Sequence, residues 1–582
     1  MNIVVANSVG VDSNGFRIVH VPSRWSLGVK NFTNCGYYPW QLAYTSSLLK
    51  RETPHHVKML DGVLHGWDFA TYFQHLAEEK PEWLVMESSS RTIKEDLRLA
   101  AAAKEAFGTK LIFTGQHPMA RPEDVLQVAD HVCIGEYEYA VLDLIRGKDP
   151  KTISGAHPNP RAELLDVDSL PFPEDEDVRR IDYHEPNCRY RQIQMYASRG
   201  CPRRCNFCAA ATLYYDELNW RPRNVDSVIA EIRALKEKYP EMEGVFFDEE
   251  THNIRKSFNI ALARAIRQAG LDGLKYEAMC EYASLDVEAM TEMAKAGYYK
   301  IRVGVETASE RVAEAMTLGK KFNPGKLQNM LRAGKDLGLQ FYGTFSVGGL
   351  RSNPDEDQKT VDLIDDLSRQ GLMDEVQVSI NTPQPGTDFY RTAMARGWIR
   401  QGLDWDDFDG NGHVVVEYPD YSAEQIKTSF DRALAAFDRG KENAGAETFR
   451  TAARQSFRAR LPSGRVLVLR CVRPWMIHLV LDALGENPNI RADILGQDAA
   501  QAELRGHPRL NKYYSYGQGF FQPQEIGKNL LQELRANRYD ALLLPMANNH
   551  IDGYKNVLET ARSIHANALF GVTWDGKLLP LQ

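Results

Sequence analysis

The sequence predicts an α/β protein built from parallel sheets: a doubly wound sheet first, an open partial (β/α) barrel of six units second, and a small α/β domain last. Three observations carry this. Short apolar runs alternate with helical stretches from Met1 to about Gly147, a second alternating series begins at Arg191, and a third begins with GRVLVLRCV at Gly464.

In the first stretch (1–147), the runs VKML before Asp61, WLVM ending at Met86, KLIFT ending at Thr114 and HVCI ending at Ile134 read as strands, with helical pattern between them. A ligand of such a sheet sits beyond the carboxyl ends of the strands. Residues 148–189 are rich in Pro and Asp and lack periodicity, so they are expected to form an ordered linker wrapped on a surface. Between 190 and 420, the runs RQIQMYA, GVFFD, KYEAM, KIRVGVE, FYGTFSV and EVQVSIN are candidate strands. Val225, Val228, Ile229, Ile232 and Leu235 share one helical face, and Gly270, Gly297, Gly338 and Gly371 fall where helices should stop. Six strand and helix pairs are two short of a closed eight-unit barrel, hence an open one. A polar helical connector (421–460) leads to the last domain (461–582).

Composition narrows the function classes. A chain of 582 residues needs several cores, and its net charge of -8 arises from interspersed acids and bases, which implies no nucleic-acid partner. No apolar run reaches the roughly 18 residues of a transmembrane span, and the opening MNIVVANSVGVD lacks a secretory signal, so a cytoplasmic location is expected. Eight cysteines are too sparse for a disulfide framework, yet three crowd into ASRGCPRRCNFCAAATLY.

Those three, Cys201, Cys205 and Cys208, follow directly on the first strand of the second series, at the strand end where α/β folds place active sites. Three thiolates on a four-iron cube leave one iron open to a cosubstrate bearing an amine and a carboxylate. A structural zinc site is the plainer reading, but it would need Cys188 or Cys280 from a distance, because zinc sites usually pair two C-x-x-C knuckles. Cys35, Cys133 and Cys471 are scattered.

The spacing C-x-x-x-C-x-aromatic-C, with Phe207 in the aromatic place, resembles the radical S-adenosylmethionine superfamily. The resemblance extends over about 230 residues and implies a [4Fe-4S] cluster, S-adenosylmethionine, and its reductive cleavage to a radical that abstracts substrate hydrogen, with electrons from a donor such as flavodoxin or ferredoxin. GVFFDEET looks like the family's second-strand segment and implies that Asp248 and Glu249 lie near the cosubstrate's amino group. KIRVGVETAS implies that Glu306 faces its ribose or methionine end. Gly348 and Gly349 look like the fifth-strand glycine turn, and Pro383, Pro385, Gly386 and Thr387 resemble the turn that passes the adenine. Each has a plain alternative: carboxylates at strand ends often cap the next helix, and glycines permit turns.

The first domain resembles the flavodoxin-like cobalamin-binding domain that precedes the barrel in one branch of the superfamily. Ser88, Ser89, Ser90, Gly115, Gln116, His117, Gly135, Glu136 and Tyr137 are the implied cobalamin contacts. The sequence departs from the pattern in two ways. Asp61 is followed by Gly62 and Val63 rather than leading to a cobalt-facing histidine, with His65 two places too far along. Bulkier Gln116 and Tyr137 replace small residues. The last domain distantly resembles half of a sugar-nucleotide glycosyltransferase fold, in which Trp475, Trp574 and Tyr554 read as core or interface aromatics.

The resemblance thus implies a cobalamin-dependent radical methyltransferase acting on an unactivated carbon of a small molecule or biosynthetic intermediate held between the first two domains. The alternatives are a radical cyclisation, rearrangement or oxidation without methyl transfer and, from another class, a non-catalytic iron-sulfur binding protein. No general base is nominated and no side chains identify the substrate.

Overall fold

The structure is a computed structural model that describes residues 1–582 apart from 13–14, 22–24, 30–35, 411, 445, 505, 518–520 and 582. Its first sheet comprises β1 (Asn2–Asn7), β2 (His56–Asp61), β3 (Trp83–Glu87), β4 (Lys110–Thr114) and β5 (His131–Val132), all parallel, in the flavodoxin-like order β2-β1-β3-β4-β5. The interior strand β1 is NIVVAN, which the four apolar runs did not include. Its alternation explains the double winding: Ile3 and Val5 join one hydrophobic core, while Val4 and Ala6 join the core on the other face. Helices Trp40–Glu52 and Glu138–Ile145 pack together, as do Phe69–Glu79 and Ile93–Phe107.

The second sheet is the open barrel, in which six parallel strands, each paired with its sequence neighbour, run in the order β6 (Gln192–Met195), β7 (Gly244–Phe247), β8 (Lys275–Glu281), β9 (Tyr298–Glu306), β10 (Gln340–Val347) and β11 (Glu375–Ile380). Outward residues such as Ile193, Val245, Ile301 and Phe341 are buried apolar side chains. Asn224, Asp286, Asn323 and Asn353 each cap a following helix with a side-chain oxygen, and Gly270, Gly297, Gly338 and Gly371 each take a left-handed conformation just past a helix end.

The lower lumen is filled by charge. Arg302 pairs with Glu277 and Glu185, Lys300 with Glu277 and Glu375, and Arg189 with Glu375. Glu185 and Arg189 belong to the segment expected to lie on a surface; instead Tyr183, Glu185, Cys188 and Arg189 are buried, and Lys300 donates to the carbonyl of Asn187. The end of the linker is drawn in because inward-facing strand residues carry charges that need partners. Higher in the lumen, Met279, Gly304, Glu306, Thr344, Gln377 and Ser379 remain only half-buried.

Helices Ala423–Ala444 and Ala446–Arg460 lead to the third sheet: β12 (Gly464–Leu469), β13 (Ile490–Gly496), β14 (Leu510–Ser515), β15 (Ala541–Pro545) and β16 (Leu569–Val572), parallel in the order β14-β13-β12-β15-β16, with β17 (Leu578–Pro580) antiparallel at one edge. Its carboxyl edge abuts the amino-terminal end of the barrel. Arg189 lies over Trp574 at 3.4 Å and donates to the carbonyl of Ala547, while Arg191 pairs with Asp552 at 2.6 Å. Trp475 and Trp574 meet edge to face and Tyr554 is buried, so these aromatics serve core and interface. No described helix is long and apolar enough to cross a membrane.

Candidate active site

The three cysteines lie on a loop that leaves β6 through a two-stranded antiparallel ribbon, Ser198–Arg199 with Arg221–Pro222. The loop is pinned on several sides. Asn206 donates from its backbone N–H to the Met316 carbonyl at 3.0 Å and from Nδ2 to that of Ala315 at 2.9 Å, while its own carbonyl accepts from Phe389 N at 2.9 Å. Arg203 forks onto Glu281 at 2.9 and 2.8 Å, and Phe207 packs with Cys205 against Val312, Ala313, Met316 and Leu318. Directly after Cys208 comes a π-helix, Ala210–Tyr215, a rare element common at functional sites.

All three thiols are half-buried. Burial pushes Cys201 up to about 12 and Cys205 well above its ordinary value, and the neighbouring Cys208 raises both further. Thiolates crowded in this way need a cation, which an iron-sulfur cluster provides. Among the described residues no three His, Cys, Asp or Glu side chains are drawn together around a common point. Every described cysteine is a free thiol, and Cys35 lies outside the described residues.

The carboxylates named from sequence divide between two surroundings. Burial raises the Tyr37 phenol, and Glu185, Asp248 and Tyr342 of the lumen raise it further against the opposing pull of Arg302, which places Asp248 among the lumen groups. Glu306 sits at a bulge in β9 with φ of 71°, a strained backbone of the kind that collects at functional sites, and is near enough to Cys205 to raise its thiol. Burial raises the Glu306 carboxyl, against the opposing pull of Lys320. Glu249, in contrast, is committed elsewhere: Oε1 lies 2.6 Å from His252 Nδ1, whose other nitrogen lies 3.1 Å from the Tyr298 hydroxyl. Glu250, which the sequence reading passed over, receives the Gly200 N–H at 3.1 Å and the Tyr215 hydroxyl at 2.7 Å beside the cysteine loop. No local pattern marks it, because residues 249 and 250 lie in a bend beyond the end of β7 at Phe247, where strand alternation no longer holds.

The glycines of the two turns pack against protein. A Cβ on Gly348 would lie 2.8 Å from Ile426, one on Gly349 2.6 Å from Met316, and one on Gly386 2.5 Å from Leu213 and 2.8 Å from Ala120. Pro383 is buried in the same turn.

The first sheet's carboxyl edge faces this turn and the π-helix, and most residues named there for cobalamin are buried. Ser88 donates to Asp96 at 2.7 Å, Ser90 donates from N and Oγ to Gln116 Oε1, and Gln116 Nε2 donates to the Pro385 carbonyl at 3.2 Å. His117 lies 3.0 Å from Ser90 Oγ, 3.1 Å from Asp124 and edge-on to Trp405; burial lowers it to about 4. Ser89 donates from its backbone N–H to Thr92 Oγ1 at 3.0 Å, Gly135 lies against Arg161, and Glu136 is taken up by Arg199 and Arg221. Asp61 accepts from Asn7, Leu64 N and Tyr183, which makes it a structural cap, and His65 stacks on Trp67.

The fit to a corrin rests on one observation. Glu87, at the end of β3 beside Ser88 and Gly115, accepts from Tyr214 at 2.8 Å through Oε1 and lies beside the Tyr137 hydroxyl, while the buried Oε2 of Glu138 has no hydrogen-bond partner among the described residues. Burial raises the Glu87 carboxyl to about 8. A ligand rich in amides can satisfy such groups. Its admission requires the Gln116 to Pro385 seam to part.

Residues 195–364 match the family described as the Radical SAM superfamily. An uncharacterised methyltransferase of Pyrococcus horikoshii is 25% identical over 416 residues, which are 69% of this chain and 87% of the relative. Among solved structures, the radical S-adenosylmethionine methyltransferase TsrM of Kitasatospora setae, bound to tryptophan and a cosubstrate analogue, aligns with a TM-score of 0.58 at 14% identity, covering 76% of this chain and 90% of its own. The cobalamin-dependent S-adenosylmethionine radical enzyme OxsB, bound to aqua-cobalamin and S-adenosylmethionine, aligns with a TM-score of 0.58 at 15% identity over 80% of this chain and 69% of its own. At these identities the two structures establish a shared fold.

Proposed function

From the premise that residues 195–364 form a radical S-adenosylmethionine domain, we propose that this chain is a cobalamin-dependent radical methyltransferase acting on an unactivated carbon of a small molecule. The observation that carries the reading is the juxtaposition of the crowded Cys201, Cys205 and Cys208 thiols with the Glu306 carboxylate at the carboxyl end of a barrel strand, under the edge of a flavodoxin-like sheet.

In this reading the three cysteines hold the cluster, Asp248 and Glu306 orient the charged ends of S-adenosylmethionine, and Glu87, Ser88, Ser90, Gly115, Gln116 and Tyr137 hold the corrin. When bound, the cluster supplies an electron to the sulfonium and cobalamin supplies a methyl carrier. The protein contributes position and exclusion of water. The ion-paired lower lumen and the linker's end close the barrel from below, and the half-buried Met279, Thr344, Gln377 and Ser379 line the space above with neutral polar and thioether groups, which suits an uncharged or weakly charged substrate. Flavodoxin or ferredoxin as electron donor and a cytoplasmic location belong to the same proposal.

The test is anaerobic reconstitution with iron, sulfide and hydroxocobalamin, followed by dithionite and S-adenosylmethionine. The reading expects 5'-deoxyadenosine from the parent, none from a Cys201→Ala, Cys205→Ala, Cys208→Ala variant, and corrin absorption that survives gel filtration. Absence of 5'-deoxyadenosine overturns the radical reading; loss of the corrin alone overturns methyl transfer. The closed Gln116 to Pro385 seam favours a second reading, radical rearrangement or oxidation without methyl transfer, and a product heavier by one methyl group excludes it.

A further inference from the structure

The base of the cysteine loop is tied to the first domain by two buried carboxylates, Glu136 and Glu138, of which Glu136 takes both arginines of the ribbon. Both strands of the ribbon at its base carry an arginine, and Arg199 and Arg221 are register partners. Both reach Glu136: Arg199 Nη1 lies 3.2 Å from Oε1, while Arg221 places Nη1 2.7 Å from Oε2 and Nη2 3.0 Å from Oε1. Leu165 N donates to Oε2 at 2.9 Å, which fills the carboxylate's remaining capacity, and Glu138 takes Arg199 Nη1 at 2.7 Å. The Arg199 guanidinium also lies 4.7 Å above the ring of Tyr44, a helix residue of the first domain. Arg199, Glu136 and Glu138 are at most 3% exposed. From Arg221 the path to the loop is short. Its Nε donates to Asn219 Oδ1 at 3.1 Å, and Asn219 N donates to the Cys201 carbonyl at 3.3 Å.

We propose that Glu136 is a positioning residue for the cysteine loop: through Arg221 and Asn219 it fixes the backbone of Cys201 relative to the first sheet. The inference rests on the reading of Cys201 as a cluster ligand. Buried charge-assisted hydrogen bonds of this kind resist rearrangement, because lifting the ribbon strands three charges in a low-dielectric seam. The first sheet and the cysteine loop therefore move as one piece. Glu136 also has no lone pair left for a corrin, which separates it from the neighbouring Glu87.

The experiment uses the full chain, reconstituted with iron and sulfide, in parent, Glu136→Gln and Arg221→Gln forms. Iron release to the ferrous chelator bathophenanthroline disulfonate is timed at the same interval below each form's unfolding midpoint, so that general destabilisation is matched, and corrin retention is read alongside. Outer partners of metal ligands usually change metal affinity by about tenfold or more, so Glu136→Gln is expected to release iron at least about tenfold faster than the parent. A smaller change overturns the proposal, as does loss of corrin with iron retained, which would make Glu136 a ligand contact. Should Glu136→Gln fail to fold, Arg221→Gln on the half-exposed partner is judged by the same threshold. A parent that takes up no four-iron cluster refutes the proposed function before any variant is compared, so the two failures are distinct.

Discussion

Glu87→Gln should stabilise the protein more as pH rises. Glu87 is enclosed at the end of β3, with Tyr214 donating to one oxygen and the Tyr137 hydroxyl beside it, and burial lifts its carboxyl from 4.5 to about 8. A carboxyl that stays protonated when folded but ionises when unfolded binds more protons folded, so stability declines as pH climbs from about 4.5 through 8. At 1.36 kcal/mol for each pH unit of difference, the parent loses about 1 kcal/mol by pH 5, about 3 by pH 7 and about 4 by pH 8 relative to its fully protonated form. Glutamine keeps the acceptor for Tyr214 and puts an N–H in place of the acid proton, so it mimics the protonated state at every pH. For a domain of this size 1 kcal/mol moves the midpoint by about 2–4 °C, which predicts a variant that melts near the parent at pH 5 and roughly 10 °C or more above it at pH 8. Differential scanning calorimetry across pH 5–9, following the first-domain transition, measures the gap. A gap that does not widen with pH would show that Glu87 is ionised in the folded chain, and would refute the argument from its enclosure.

Three other outcomes follow from the packing. Arg302→Met leaves Glu185 and Glu277 as buried carboxylates without their guanidinium and should cost about 3–5 kcal/mol in urea denaturation. Asp248→Asn should weaken S-adenosylmethionine binding by about tenfold or more, whereas Glu249→Gln, whose parent carboxylate is engaged by His252, should leave it within about threefold; equilibrium dialysis with the reconstituted protein separates them. Gly386→Ala places a methyl 2.5 Å from Leu213 and 2.8 Å from Ala120 and should cost about 1–3 kcal/mol while exposing the seam between first sheet and barrel to limited proteolysis.

The fold was legible where a single period dominated. All six barrel strands announced themselves as apolar alternation broken by helix stops, and the ends of four helices were marked by glycine. The first strand, NIVVAN, was not among the runs singled out, although a strand buried on both faces shows just such a short apolar run. The linker misled for another reason. Its Pro and Asp content reads as surface, but Glu185 and Arg189 answer charges on Lys300, Arg302 and Glu375 that are distant in sequence, and no local pattern encodes such a partner. At the candidate site, the cysteine spacing was plain, whereas the division of DEET into a lumen-facing Asp248 and a His252-bound Glu249 depended on side-chain direction. Glu136 shows the same limit: its motif named a loop, and only the fold brought Arg199 and Arg221 to it.

These contacts together decide how a substrate can reach the barrel. From below, the lumen is shut by the ion pairs of Arg302 and Lys300, by the inserted linker end, and by the carboxyl edge of the third sheet with Arg189 over Trp574. That edge is where an independent α/β domain would bind a ligand, so its use as a stopper argues that the third domain contributes closure. The accessible lumen positions, Gln377, Ser379 and Thr344, therefore open toward the first sheet, across the seam bridged by Gln116 and Pro385. Under the proposed function, substrate and corrin then share one entrance. Because Glu136 and Arg199 join the two sides of that seam close to Cys201, an entrance widened at this point would also displace the cysteine loop, whereas one widened at Gln116 would leave the loop in place. The economical route for a bulky ligand is the Gln116 side, with the Glu136 ion pairs acting as the hinge.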